Sequence, residues 1–288
     1  MAVYKRTYRA YAGTLTPAWS RFWILTRYAW RHLFRSRVMT AFFICCFFPA
    51  IVMMLGLYLN HSEALLRLLR RPAGLPLIDD FPTYFRVFIH IQAGFGLLLT
   101  AFAGPTLISP DLANNALPLY FCRPFSRKEY VLGKFCVIAW LVSLITWVPG
   151  LILFAIESGL SGGSWMWDHL WLARAIFLSS LADVVILALI GLALSAWVKW
   201  KPVAGALVLG VFFLGAGFGA AINAVMRTTN GFFIDTGHML GTLWGTLFRA
   251  ENFDPEVSLT NAVFQLAAVC ALCLWLLSRK TRAFEVVK

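Results

Sequence analysis

Six stretches of this chain, roughly residues 39–59, 85–108, 135–156, 173–197, 203–226 and 260–278, are almost unbroken apolar sequence. A helix rises about 1.5 Å per residue, so about 20 such residues match the hydrocarbon core of a bilayer. Backbone N–H and C=O groups in lipid have no water to bond to, which restricts spanning segments to helices or closed barrels. The alternating ten-residue pattern of an outer-membrane barrel is missing. The expected fold class is therefore an all-α polytopic membrane protein with six transmembrane helices. A chain of 288 residues that is 60% hydrophobic, with mean hydropathy +0.74, is too apolar for a water-soluble globule.

The net charge of +12 reads as topology rather than as a nucleic-acid surface. Eighteen of the 25 Lys and Arg fall on the N-terminal side of the alternating spans and seven on the other, where most of the acids also lie. The positive-inside rule then places both termini in the cytoplasm. The run Arg67, Arg70 and Arg71 goes against this trend in a single loop. The first apolar run begins far from the N-terminus and has full spanning length, so no cleavable signal peptide is expected. Cys45, Cys46, Cys122, Cys136, Cys270 and Cys273 lie in spans or at cytoplasmic edges, where a disulfide framework is not expected. The Cys270-x-x-Cys273 pair reads as small packing residues.

The spans define one transmembrane domain over 1–288, with cytoplasmic ends at 1–38 and 279–288. The first dozen residues have no periodicity and read as a loose tail. Thr16-Pro17 signals a helix start. On a helical wheel Arg21, Arg27, Arg31 and Arg35 share one arc, while Trp19, Phe22, Trp23, Trp30, Leu33 and Phe34 occupy the opposite one. This predicts an amphipathic helix over 17–36 lying in the interface, guanidiniums near anionic lipid, and running straight into the first span. Outside, the loop at 60–84 holds a short amphipathic turn, and Gly159–Gly163 reads as a flexible link. Residues 227–259 form a long, half-apolar outer loop whose run from Met239 to Phe248 is too short to span and predicts short helices. In the fifth span, Gly215-x-x-x-Gly219 has the small-residue spacing of close helix packing and makes a dimer seam plausible.

The cytoplasmic loop at 109–134 is the most elaborate polar segment. Ser109-Pro110-Asp111 offers an N-cap, a proline and an acid for a helix start. Ser126-Arg127-Lys128-Glu129 is a capping box leading into the third span. Between them Arg123-Pro124 breaks the chain. A capped polar knuckle of this kind can receive force from a soluble partner.

These residues carry a resemblance. Ile108, Ser109, Asp111, Ala116 and Leu117, followed by Arg123, Pro124, Ser126, Arg127, Gly133 and Lys134, closely resemble the inner loop of type-2 ATP-binding-cassette (ABC-2) exporter permeases. They look nearest to the group labelled multicopper-enzyme maturation permeases. The family pattern has Glu and a later Gly where this chain has Asp111 and Asn115. The resemblance covers nearly the whole chain. It implies a dimer of identical or related permeases bound to two ATPase subunits, in a bacterial cytoplasmic membrane. It also implies a coupling helix at 109–130, with a connecting helix at 17–36 beside it. Asp111, Arg123, Pro124, Ser126, Arg127 and Glu129 would then serve ATPase coupling, with Arg123 and Arg127 in ionic contact and Ser126 and Glu129 holding the helix start. Gly133-Lys134 lacks the upstream glycine and following hydroxyl of a phosphate loop. ATP and Mg are therefore expected on the partner, no cofactor or metal on this chain, and its direct partners to be the ATPase, a second permease and membrane lipid, not nucleic acid.

Two other classes compete. Gly159-x-Ser161-Gly162 and His238-x-x-Gly241 resemble motifs of rhomboid intramembrane proteases, yet both fall in outer loops. A haem-binding electron-transfer subunit would need paired histidines, and of His32, His61, His90, His169 and His238 only His90 lies in a span. Asp183 is the acid deepest in a span, near Ser179 and Ser180. A charge there is expensive and faces either a polar route or an internal partner. Gln92 and Asn223 are further path candidates, or interhelical hydrogen-bond donors and acceptors. The few internal charges lean toward a lipidic or amphipathic cargo.

Overall fold

The computed structural model describes residues 17, 20–62, 80–121, 126–249 and 257–280. Every regular element among them is helical. Six stretches are long and apolar enough to cross a membrane: Arg37–His61, Phe81–Ala113, Arg127–Ser161, Leu170–Trp197, Lys201–Met226 and Leu259–Lys280. The six apolar runs of the sequence each fall inside one of these. The chain is an all-α polytopic membrane protein.

Helix α1 (Arg21–Leu33) precedes the first span. It does not start at Pro17, which is non-helical; the Ser20 N–H reaches back to the Pro17 carbonyl at 3.1 Å. Nor does it run on into the span. Phe34 closes it, Arg35 stands in a turn, and Ser36 caps a new helix, α2 (Arg37–Cys45), by accepting from the Met39 N–H at 3.5 Å. Arg35 is thus off the face shared by Arg21, Arg27 and Arg31.

The first span is two helices, α2 and α3 (Phe48–His61). Pro49 explains the interruption, because it has no N–H for the carbonyl four residues earlier and its ring crowds that carbonyl. That carbonyl belongs to Cys45, the last residue of α2. The second span is α4 (Phe81–Ala103), followed by a 3-10 turn, Gly104–Thr106, and the short helices α5 (Ser109–Ala113) and α6 (Leu117–Phe121). The third span repeats the logic of the first. Helix α7 (Arg127–Ile145) stops four residues before Pro149, and α8 (Trp147–Ser161) continues. Most of the expected flexible link at 159–163 is therefore helical. Its turn is Gly162, whose φ of +97° lies where side chains are disfavoured, and α9 (Gly163–Asp168) follows.

The fourth span, α10 (Leu170–Trp197), is the hub. It packs against α4, α7, α8, the fifth-span helix α11 (Lys201–Met226), the outer helix α12 (Thr236–Leu247) and the sixth-span helix α13 (Leu259–Lys280). Its most apolar stretch is 72% buried inside the protein, against 17% for the first span and 22% for the fifth and sixth. Those three therefore leave most of their surface uncovered by the rest of the chain. Small residues make the hub possible. A Cβ on Gly191 would stand 2.6 Å from the Thr100 methyl, so α4 and α10 meet nearly backbone to backbone. On the face opposite α1, α12 buries Met239, Leu240 and Trp244 against the bundle. This agrees with a short capping helix in the loop between the last two spans.

Candidate functional site

Helix α5 is the first element of the polar knuckle, and its cap comes from elsewhere in the chain. Ser109 is the first helical residue, not its N-cap. The Ser195 hydroxyl of α10 accepts from the Ile108 N–H at 3.2 Å and the Ser109 N–H at 3.0 Å. In return the Ser109 hydroxyl donates to the Ser195 carbonyl at 2.9 Å. Both serines are buried, so the donors left free at the start of α5 are satisfied by α10 rather than by water. The other end closes through Asn115, whose φ of +51° is left-handed. The Asn115 N–H reaches the Leu112 carbonyl at 3.3 Å and the Ala116 N–H reaches the Asp111 carbonyl at 2.8 Å, the double bond of a Schellman cap. Asparagine is the residue other than glycine that most readily takes this conformation, which accounts for the departure from the family pattern at 115.

Asp111 faces inward. Its carboxylate accepts from the Lys134 ammonium at 2.9 Å and from the Tyr130 hydroxyl at 2.7 Å. Lys134 also donates to the Leu107 carbonyl at 2.6 Å. Lys134 was expected to be one of the loop's cytoplasmic charges; it is instead 5% exposed, inside α7. Tyr120 of α6 packs its ring 5.4 Å from that of Tyr130. Burial, and then the nearby Asp111 carboxylate, push the Tyr120 hydroxyl up. The knuckle is thus bonded to the second, third and fourth spans at once. Asp111, expected to serve ATPase coupling, makes this internal tie.

Helix α1 docks on α7 one residue away. Thr26 donates its hydroxyl to the Gly133 carbonyl at 2.9 Å. A Cβ on Gly133 would meet the Phe22 carbonyl at 3.0 Å and Leu25 at 3.1 Å, so glycine sets how closely α1 can lie. Arg27 and Arg31 are exposed, and Trp30 is half-buried with its ring 5.0 Å from Phe34. Trp23, Ile24 and Tyr28 are exposed apolar residues of the same helix, consistent with an interfacial position. At the start of α7 the expected capping box is present. The Ser126 N–H donates to Glu129 at 2.6 Å and the Glu129 N–H to the Ser126 hydroxyl at 3.2 Å. Arg127 and Lys128 are exposed. Trp19, Arg123 and Pro124 lie outside the described residues.

The path candidates divide. Gln92 is fully buried and donates to the Cys46 carbonyl at 3.2 Å, at the break in the first span. Asn223 accepts from the Gly231 N–H at 2.7 Å and fixes the turn after α11. Both make structural bonds, while the Gln92 Oε1 and Asn223 Nδ2 atoms are buried without a partner. Asp183 is fully buried with neither oxygen bonded to protein, and the Ser179 and Ser180 hydroxyls are likewise unbonded. The Trp244 indole of α12 lies beside the carboxyl without closing a hydrogen bond. The expected dimer seam is corrected. A Cβ on Gly219 would meet the Gly231 carbonyl at 2.7 Å and one on Gly215 the Ile234 carbonyl at 3.0 Å, so this face is covered by the chain itself.

Ser161 and His238, the pair a rhomboid-like protease would need, are not brought together. The Ser161 hydroxyl donates to Glu157 at 2.6 Å and lies 3.2 Å from His61, whereas His238 stacks on Phe232 at 3.9 Å. Glu157, fully buried at the opposite end of the bundle, escaped the sequence reading although it interrupts an apolar run. Ser195 escaped it too, because its partner is 86 residues away.

No individually curated protein matches the chain significantly. The model of the family described as ABC-2 family transporter protein matches residues 23–285. That match takes in α1 from Trp23 onward, the knuckle, the Lys134 tie and all six spans. The chain therefore belongs to the ABC-2 transporter family, as a multi-pass membrane permease.

Proposed function

We propose that this permease, as one half of a homodimer or related heterodimer, works with two copies of a separate ABC ATPase to export a substrate across a bacterial cytoplasmic membrane. Both termini face the cytoplasm, and ATP and Mg are held by the ATPase. The observation that carries this reading is the joint anchoring of the knuckle, through Asp111 and Lys134 to the third span and through Ser109 and Ser195 to the fourth. A push on α5 and α6 cannot be absorbed locally and must move the spans. With α1 held on Gly133, the same push carries the connecting helix. ATP binding by the partner supplies the differential affinity that shifts the permease between inward and outward access.

In this scheme Arg127 and Arg123 make the ionic contacts with the ATPase, while Ser126 and Glu129 fix the start of α7. Asp183, the path candidate without a protein hydrogen bond, is the group that a polar or amphipathic cargo meets when the bundle opens. The test is Arg127→Glu, expressed beside the partner ATPase. ATP hydrolysis should persist while export falls by an order of magnitude or more, with the variant still present in the membrane. Coupling unchanged from the native chain would remove Arg127 from this role. Affinity capture of the tagged chain should bring down an ABC ATPase; its recovery as a stable monomer without one would overturn the reading.

A further inference from the structure

On the α1 side of the membrane, between the start of the third span and the end of the sixth, the surface opens into a groove of about 810 Å³. Its walls are apolar, with Leu132 and Phe135 from α7, Leu189 from α10 and Leu277 from α13. Its mouth is formed by Arg127, Lys128 and Glu129, two cations to one acid. Both are exposed, and among the described residues neither has an acidic partner. Glu129 accepts from the Ser126 backbone. Among the described residues the mouth therefore keeps one cation in excess.

The dimensions follow the polarity. From Lys128 to Phe135 is seven residues of helix, about 10 Å along the membrane normal at the α-helical rise. One end is charged, at headgroup depth, with a net excess of one cation, and the rest is a hydrocarbon-lined channel. An ion such as free phosphate would satisfy the mouth and leave the walls bare. A second copy of the chain docked here by two-fold symmetry would bring the same unpaired cations to a shared seam.

We propose that this groove is a binding site for an anionic phospholipid. Its phosphate pairs with Lys128, and an acyl chain lies along Leu132, Phe135 and Leu277. A cation near the membrane surface favours anionic lipid by about fivefold, so Lys128 selects such a lipid over a zwitterionic one by that factor. The bound lipid then holds α7, the helix that carries Lys134, against α10 and α13. The site requires neither the ATPase nor a substrate, and its test involves neither.

The purified chain is placed in phosphatidylcholine vesicles doped with phosphatidylglycerol bearing a diazirine on its acyl chain, and photolabelled peptides are mapped. Labelling of the segments around 131–135 and 274–278 should exceed, by about fivefold, that given by phosphatidylcholine bearing the same diazirine. Lys128→Glu should reduce it to the phosphatidylcholine level, and Leu132→Trp, which fills the groove, should reduce labelling by both probes. Labelling around Phe213 and Phe218, exposed on the fifth span, should stay constant in each variant and reports that the fold is intact. Equal labelling by the two lipids, or labelling indifferent to Lys128→Glu, overturns the proposal. So does a disulfide between copies through Leu274→Cys, which would show a second chain in the groove.

Discussion

The Lys134 ammonium lies 2.9 Å from the Asp111 carboxylate, and the two residues belong to different spans. Lys134 is 5% exposed, and it reaches past Asp111 to the Leu107 carbonyl. The pair fastens the end of the second span to the third at the level where α1 and the knuckle meet.

Breaking one side of this pair should be worse than removing both. Lys134→Met leaves a largely buried carboxylate without its cation, a change that typically costs about 3–5 kcal/mol. Lys134→Met combined with Asp111→Leu removes both charges and should recover much of that loss. Thermal unfolding of the two single variants and the double variant, in one detergent, measures the coupling. Additive single effects would show that the ion pair contributes nothing as a pair.

Ser195→Ala should destabilise the knuckle selectively. Two backbone N–H groups, of Ile108 and Ser109, lose a buried acceptor, at about 1–3 kcal/mol for an unsatisfied buried donor. Hydrogen exchange of residues 107–113 should accelerate while that of α13 does not. A uniform change across the spans would contradict a local role.

Gly133 controls the fit of α1. Gly133→Leu places a side chain where the Phe22 carbonyl and Leu25 stand, within 3.0–3.1 Å of the first added carbon, so α1 must move off α7. A cysteine pair across α1 and α7 that cross-links in the native chain should cease to do so in this variant. Retained cross-linking would mean that the close approach is not needed.

Asn115 tolerates glycine and little else. Asn115→Gly keeps the left-handed residue of the Schellman cap and should be within a few tenths of a kcal/mol of native, whereas Asn115→Val should lose about 1–2 kcal/mol. Unfolding midpoints of the two variants separate these outcomes. Equal stability of both would show that the cap is not maintained in solution.

The spans were legible because bilayer thickness imposes a length of apolar sequence, and nothing tertiary is needed to see it. The Ser126–Glu129 capping box was legible for the same reason, since both partners lie within one turn. What misled the reading was non-local. Ser109 looks like its own helix cap until Ser195 is found beside it, and Lys134 looks like a loop charge until Asp111 and Leu107 are in reach. Gly215 and Gly219 announce a close contact but not with what, and the contact is the chain's own turn at 231–234. The breaks at Cys45 and Ile145 were different, for Pro49 and Pro149 signalled them openly. Apolar length alone, which defines a span, is blind to them.

Those two prolines have a mechanical consequence. An unbroken helix transmits a displacement along its whole length, because every turn is hydrogen-bonded to the next. In the first and third spans that ladder is interrupted partway, and the far segments α3 and α8 pack on each other and are joined by His61 and Glu157 at 3.5 Å. The molecule is thus articulated, a near storey clamped to α1 and the knuckle and a far storey with its own bracing. On the coupling proposed above, a stroke entering at α5 would arrive at the far storey as a change of tilt, without requiring either helix to slide through the bilayer.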